Sequence, residues 1–270
     1  MGAERALTDA ETYEKRRRSF EQSAERYERY RPTYPAELFD DVRAYADVAP
    51  DDAILEIGAG TGRGTMHLAR WGNPVLAIEP APAMAEIARA NVAGHPHVDV
   101  RTTTFEDAQL ERNAFGLVAV TQSFHWLDPA TRIERIHDAL YAYGTAAIIN
   151  NRQYAIDETL PFFERVQHVY LEHAPGLEHQ GEFPRRNDRA EHVLDGSPLF
   201  TDIEFAERAW EWTLSTADYV GLMSTHSPHA ALEADVRARL LDGIARLIDS
   251  EFGGSVTEHY VATAALARRA

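Results

Sequence analysis

The segment Ile54-Leu55-Glu56-Ile57-Gly58-Ala59-Gly60-Thr61-Gly62-Arg63-Gly64-Thr65 holds the residues whose types and spacing are best suited to chemistry. An apolar run leads into four glycines at alternate positions, and a helical pattern follows. Glycines in such a turn bend the chain sharply and bring bare backbone against a ligand. The helix start beyond them presents N–H groups that have no partner within the helix, a place for a polar group. A second apolar run, Val75–Ile78, ends at Glu79, twenty-one residues after Gly58. A carboxylate at such a strand end accepts both hydroxyls of a ribose. Loop and carboxylate together predict a nucleoside-cofactor site. The dinucleotide fingerprint, with glycines first, third and sixth, fails in both registers, because Arg63 is sixth from Gly58 and Thr65 is sixth from Gly60.

These residues need a frame. Ala53–Ile57, Pro74–Ile78, Val98–Thr103, Leu117–Thr121 and Ala146–Ile149 read as strands, with helices near 63–70, 82–93 and 129–141 between them. Such alternation predicts crossover units and a mostly parallel sheet covered on both faces. Ahead of it, 8–31 reads as a polar helix with Phe20, Ala24 and Tyr27 on one face, ended at Arg31-Pro32. A second helix follows through Phe39, Val42 and Tyr45. After Asn151 the alternation stops. A helix over 157–173 precedes a stretch rich in Pro, Gly, His and Arg over 174–198. Then come strand Phe200–Leu214, a long helix from about Ala230 to Glu251, and a last strand Val256–Ala267. A loop-rich stretch of that kind inside a compact domain reads as a lid or binding insertion.

The E/D-x-G-x-G-x-G loop, the strand order and the acidic strand end resemble those of the class I S-adenosylmethionine-dependent methyltransferases. The resemblance covers most of residues 20–150. It implies an α/β fold with a Rossmann-like, seven-stranded, mostly parallel sheet, helices on both faces and an antiparallel last strand. It further implies one domain over 1–270, with 1–46 as a helical cap and 152–200 as a substrate-side insert. S-adenosylmethionine is the implied cofactor. Gly58, Gly60 and Gly62 would pass beneath its methionine and ribose, Glu79 would hold the ribose, and Glu56 would orient the loop or meet the ammonium group. Phe105-Glu106-Asp107 follows the third strand, where the family places its adenine contacts, so Phe105 and Glu106 are candidates. Met84 is placed either to pack under the adenine or to serve the helix core. Thr121-Gln122-Ser123-Phe124-His125-Trp126 closes the fourth strand, and Gln122 is a further cofactor-binding candidate. That ending, with Tyr27…Arg31-Pro32…Tyr34-Pro35 upstream, is similar to the subgroup of trans-aconitate methyltransferase-like enzymes, whose N-terminal helices cap the cofactor. Tyr27, Arg31 and Tyr34 are candidates there; Arg31 is placed to pair with the methionine carboxylate or to lie on the surface.

A sulfonium makes its methyl group electrophilic, so the protein's share is to bind, align and exclude water. A base is needed only where the acceptor must lose a proton. His125 is the first candidate for it, with a hydrogen bond beside Phe124 and Trp126 as the alternative. Arg152, Arg185, Arg186 and Arg189 suit a carboxylate or phosphate on the acceptor, or a solvated loop. Tyr154, Phe162, Phe163, Trp210, Trp212 and Tyr219 suit an aromatic pocket or plain core, and His168, Glu172 and His173 share one helix.

Composition narrows the field. The formal net charge of −16 disfavours a protein held along nucleic acid by phosphate neutralisation. The absence of cysteine excludes thiolate nucleophiles and thiolate zinc sites, and no metal site is expected. No apolar run reaches membrane-spanning length, the first residues lack the apolar core of a signal peptide, and a cytoplasmic location is expected. The expected function is methyl transfer to the O, N or C atom of a small molecule, without nucleic-acid or membrane partners. Two rivals stand beside it: a cofactor-binding member that does not methylate, and a nicotinamide-dependent dehydrogenase.

Overall fold

The computed structural model describes residues 24–179, 183–184 and 194–270. Its frame is one seven-stranded sheet in the order β3-β2-β1-β4-β5-β7-β6. The strands are β1 Ala53–Ile57, β2 Val75–Glu79, β3 Val98–Thr102, β4 Phe115–Thr121, β5 Leu140–Tyr154, β6 Phe200–Ser215 and β7 Ser255–Arg269. Strands β1 to β5 pair in parallel, and β7 runs antiparallel to both β5 and β6. The expected sheet, with its antiparallel last strand, is present. In β1 and β4, nearly every residue is buried, as near-continuous apolar runs require in a parallel sheet covered on both faces.

Strand periodicity assigns the faces. Leu55 and Ile57 of β1 join Val118, Val120 and Ile148 in one core layer. Ile54 faces the other, with Leu117, Ala119 and Ile149. Helix α1, Ala36–Ala46, seats Leu38, Phe39 and Val42 in that second layer. Helices α2 Arg63–Ala69 and α3 Pro82–Asn91 follow β1 and β2, and α4 Arg132–Ala139 leads into β5. Residues 24–30 are helical, and Ala24 packs on Ala81 and Met84 at the start of α3.

A third core lies where β5 and β6 end and β7 begins. Helix α5 Leu160–His173, α6 Thr216–Ser224 and α8 Ala234–Glu251 bring together Val166, Tyr170, Leu222, Leu240 and Ile244. Gly243 lets α5 and α8 approach closely, since a Cβ there would meet Val169 and His173.

The sequence expectations differ from the fold at four places, the first being that β5 begins at Leu140, ahead of the expected Ala146 and within the helix expected near 129–141. Strand β5 continues past Ile149 to Tyr154, pairing with β7 as far as His259. Its polar Asn151 is accommodated by donating to the Thr33 carbonyl and accepting from the Trp210 indole. The helix expected from Ala230 is two, α7 Ser227–Ala230 and α8, because Glu233 takes extended backbone (φ −55°, ψ 143°). Helix α6 was not foreseen. Much of the stretch 174–198, with Arg185, Arg186 and Arg189, lies outside the described residues, as does Phe20.

Candidate functional site

Backbone builds one side of the site. Gly58, Gly60 and Gly62 all take positive φ, and the Gly58 and Ala59 amides donate to the Ile78 carbonyl. At Gly60, φ is +58° and nothing lies within 4 Å of where a Cβ would stand, so the loop's crest faces open space. Left-handed backbone costs an L-residue about 1–2 kcal/mol, which selects glycine there. Gly62 forms the N-terminal cap of α2.

Glu79 fixes the loop from below. Its Oε2 accepts from the Gly60 amide and its Oε1 from the Ala81 amide, both at 2.9 Å. Burial pushes the carboxyl's pKa up, and the two backbone donors counter that rise. A carboxylate has about four acceptor positions, so both oxygens retain capacity for a ligand.

Glu56 is wholly buried behind the loop. The Thr65 hydroxyl donates to its Oε2 at 2.5 Å, while Oε1 has no hydrogen-bond partner among the described residues. Burial raises its pKa to about 7, against the opposing pull of the Thr65 and Thr121 hydroxyls. Gly64 is obligatory beside it, because a Cβ there would run into Oε1. The buried Thr61 hydroxyl also lacks a partner among the described residues, and the Thr121 hydroxyl lies against the Glu56 carboxyl. A cationic ligand group would suit this cluster of acceptors.

Gln122 adds strain at the end of β4. It is not glycine, yet its φ is +55°. Its amide donates to Ile149 and its side chain to the Asn151 carbonyl. Held strain of this sort clusters at functional positions. Ser123, next in line, donates to the Ile57 carbonyl at 2.6 Å and ties β4 to β1.

These parts border an open cleft of about 870 Å³, counting space that reaches solvent. Of the sequence candidates, Tyr27, Gly58, Gly60, Glu79, Met84, Phe105, Glu106 and Gln122 line it together. Phe105 is buried, with the Arg135 guanidinium over its ring and donating to its carbonyl. Glu106 is exposed and accepts from the Asp128 amide, and Asp107 is engaged by the Thr104 hydroxyl. A second lobe of about 490 Å³ shares Tyr27, Gly58, Gly60 and Gln122, and adds Arg31, Tyr34, Thr61 and Asn151. Arg31 donates to the Thr225 carbonyl at 3.1 Å, and burial lowers its pKa.

Three candidates sit outside the lining of the cleft. Glu56 and Gly62 support the loop from behind. His125 is exposed in a short 3₁₀ turn, Phe124–Trp126, its ring 4.8 Å from that of Trp126. The neighbours Trp126 and Leu127 line the cleft, as do Thr103, Thr104 and Ser123, none of which the sequence singled out as ligand contacts. The strand-end pattern was the available signal for them.

Residues 55–148 match a methyltransferase domain. An uncharacterized methyltransferase of Mycobacterium tuberculosis is 27% identical over 230 residues, covering 85% of each chain. A Dictyostelium discoideum protein named as a methyltransferase candidate is 25% identical over 84% of this chain and 88% of its own. The YcgJ protein of Bacillus subtilis shares the fold with TM-score 0.53 at 14% identity, over 87% of this chain and 99% of its own. Phosphoethanolamine N-methyltransferase 2 of Haemonchus contortus, solved with S-adenosylhomocysteine, has TM-score 0.52 at 14% identity, covering 96% of this chain and 60% of that one. The domain match begins within β1 and ends in β5. It therefore takes in the glycine loop and Glu79, while α5 to α8 lie outside it. Among the described residues, no helix is long and apolar enough to cross a membrane, and no three His, Asp or Glu side chains group as metal ligands.

Proposed function

We propose that the chain binds S-adenosylmethionine and transfers its methyl group to a small molecule. The observation that carries this reading is Glu79, buried at the end of β2, bridging the Gly60 and Ala81 amides and lining the cleft beside Met84 and Phe105. That arrangement fits a ribose between the glycine loop and an apolar base pocket. The methyltransferase domain match, and the structural neighbour that holds S-adenosylhomocysteine, support the choice of nucleoside. The trans-aconitate-like subgroup belongs to the same proposal, supported by Tyr27 and Arg31 bordering the site from the N-terminal segment.

The cofactor, when bound, supplies a sulfonium-activated methyl group. Glu79 would accept from the ribose hydroxyls with the positions its two amide partners leave open. Met84 and Phe105 would flank the adenine, with Glu106 at the rim. Thr61 and Thr121 would receive the ammonium group in the second lobe, with Glu56 orienting the loop behind them, and Arg31 would neutralise the carboxylate. One domain over 1–270 belongs to the same reading; among the described residues Tyr27, Arg31, Pro32 and Tyr34 border the site from the N-terminal side, while 36–46 packs in the core beneath the sheet. His125 is tested as a base by the turnover of His125→Ala.

Calorimetric titration with S-adenosylmethionine, S-adenosylhomocysteine and NAD(H) tests the cofactor. Saturable binding of the two sulfur nucleosides alone is expected. Binding of NAD(H) alone would overturn the reading in favour of a dehydrogenase.

A further inference from the structure

We propose that Asn151 is a positioning residue for the amino-acid end of the bound nucleoside: it clasps residues 31–35 to the sheet and thereby fixes where Arg31 stands. The proposal rests on the S-adenosylmethionine reading and adds to it the residues that select the cofactor's charged end.

The segment has little else to hold it. Pro32 and Pro35 carry no N–H, and each disfavours helical backbone at the residue before it. Residues 31–35 therefore run from the helical residues 24–30 to α1 without regular structure. Among the described residues, the backbone of Pro32, Thr33 and Tyr34 makes one hydrogen bond, in which the Asn151 side chain donates to the Thr33 carbonyl at 3.0 Å. The two ends are pinned by side chains, Arg31 on the Thr225 carbonyl and the Tyr34 ring edge-on to Phe39.

Asn151 is an exception in its surroundings. On β5 it follows Ala147 and Ile149 on the face that packs against α1, where an apolar side chain would be ordinary. Its amide is satisfied at both ends, and the partners admit one orientation only. The Trp210 indole is a donor and takes the side-chain oxygen at 3.1 Å, while the Thr33 carbonyl is an acceptor and takes the NH₂ group. Trp210 is braced in turn by its stack on Tyr260, with 4.9 Å between ring centres. A chain of fixed contacts thus runs from β6 through Asn151 to Thr33, two residues from Arg31. Arg31 borders the second lobe, and its buried Nε has no partner among the described residues, a donor left for a carboxylate. Without the clasp, the entropy of ordering this long side chain would be lost on binding instead.

The test compares S-adenosylhomocysteine with 5′-methylthioadenosine, a neutral nucleoside that keeps ribose and adenine and lacks the amino-acid end. Both are titrated by calorimetry into wild type, Asn151→Leu, Trp210→Phe, Arg31→Ala and the two doubles with Arg31→Ala. Leu keeps the shape of Asn without its amide, and the main-chain carbonyl that accepts from Gln122 stays in place. Trp210→Phe removes the indole donor at a residue outside the lobe's lining. Asn151→Leu is expected to weaken S-adenosylhomocysteine at least about tenfold and Trp210→Phe about threefold. Methylthioadenosine should change by less than about twofold in each, which also reports folding. Beside Arg31→Ala, neither substitution should weaken S-adenosylhomocysteine by more than about twofold further, because a residue that acts through Arg31 has nothing left to position. Unchanged S-adenosylhomocysteine affinity, equal losses for the two nucleosides, or losses that add to that of Arg31→Ala would overturn the proposal. Wild-type protein that binds neither nucleoside would overturn the cofactor reading, and this role with it.

Discussion

The two pockets are built by different means. The glycine-loop cleft takes one side from backbone: left-handed glycines, amides aimed at one carboxylate, and strand ends in adjacent register. A second cavity, between α5, α6 and the end of β5, is side chain: aromatics and histidines contributed by β5, α5, α6 and α7. A backbone site admits few substitutions, because its shape is set by φ and by hydrogen-bond geometry. A side-chain cavity can change its lining while the helices around it stay in place. The domain match follows this division, covering the first pocket's loops and leaving out the helices of the second.

Substitutions can break or sharpen that contrast. The largest effect is expected from Gly58→Val. Its φ of +73° disfavours any side chain, and a Cβ there would collide with Ser123. Strain and overpacking together should cost about 2–5 kcal/mol of stability, read from the denaturant midpoint. A midpoint that hardly moves would refute the claim that backbone geometry defines this pocket.

The next effect lies behind the side-chain cavity and depends on pH. Glu258 has a raised folded-state pKa of about 8 against an ordinary 4.5. The folded state then holds a proton that the unfolded chain has released, so stability falls as pH rises from 4.5 towards 8. Glu258→Gln should flatten that fall by up to a few kcal/mol. Glu56 acts with the same sign up to about pH 7. Its share should shrink when S-adenosylhomocysteine is bound, since an ammonium beside it favours the ionised form. The Glu258 share should not.

Third, Glu79→Ala should weaken S-adenosylhomocysteine binding by about 1.5–3 kcal/mol, the worth of hydrogen bonds to a charged group. Unchanged affinity in a folded variant would sink the ribose assignment. The smallest effect is expected from His125→Ala. His125 is exposed outside the cleft lining, and its loss should change nucleoside affinity by less than about 0.5 kcal/mol.

How far the sequence could be read follows the same division. Glycines at alternate positions, an apolar strand before them and an acid at the next strand end are short-range signals, and each reports a backbone requirement. They sufficed for the parallel strands and for Gly58, Gly60 and Glu79 of the cleft lining; Tyr27, Met84, Phe105, Glu106 and Gln122 follow from the resemblance to the methyltransferases. Helix α6 carried a comparable signal that went unread. Ser215 accepts from the Asp218 amide and donates to its carboxylate, a reciprocal cap three residues apart. Reading it would have placed Tyr219 and Met223 on a helix. The rest needed the fold. Trp210 and Trp212 lie on β6, as their alternation predicts, and of the two readings open to them it is packing that holds, with Trp210 stacked on Tyr260 at 4.9 Å. Phe162 is core, edge-on to Tyr219 and Phe252. Only Tyr154, Phe163 and Tyr219 of that group line the cavity. Pairings between residues so distant in sequence leave no local pattern to detect.

Strand β5 runs from the sheet's centre past both pockets, placing Asn151 at one and Gln153 at the other. Two residues of extended chain span about 6.6 Å, and β7 braces that span along its length. The strand therefore works as a ruler. Substitutions in α5 and α6 can reline the second pocket while the separation between the two pockets stays the same.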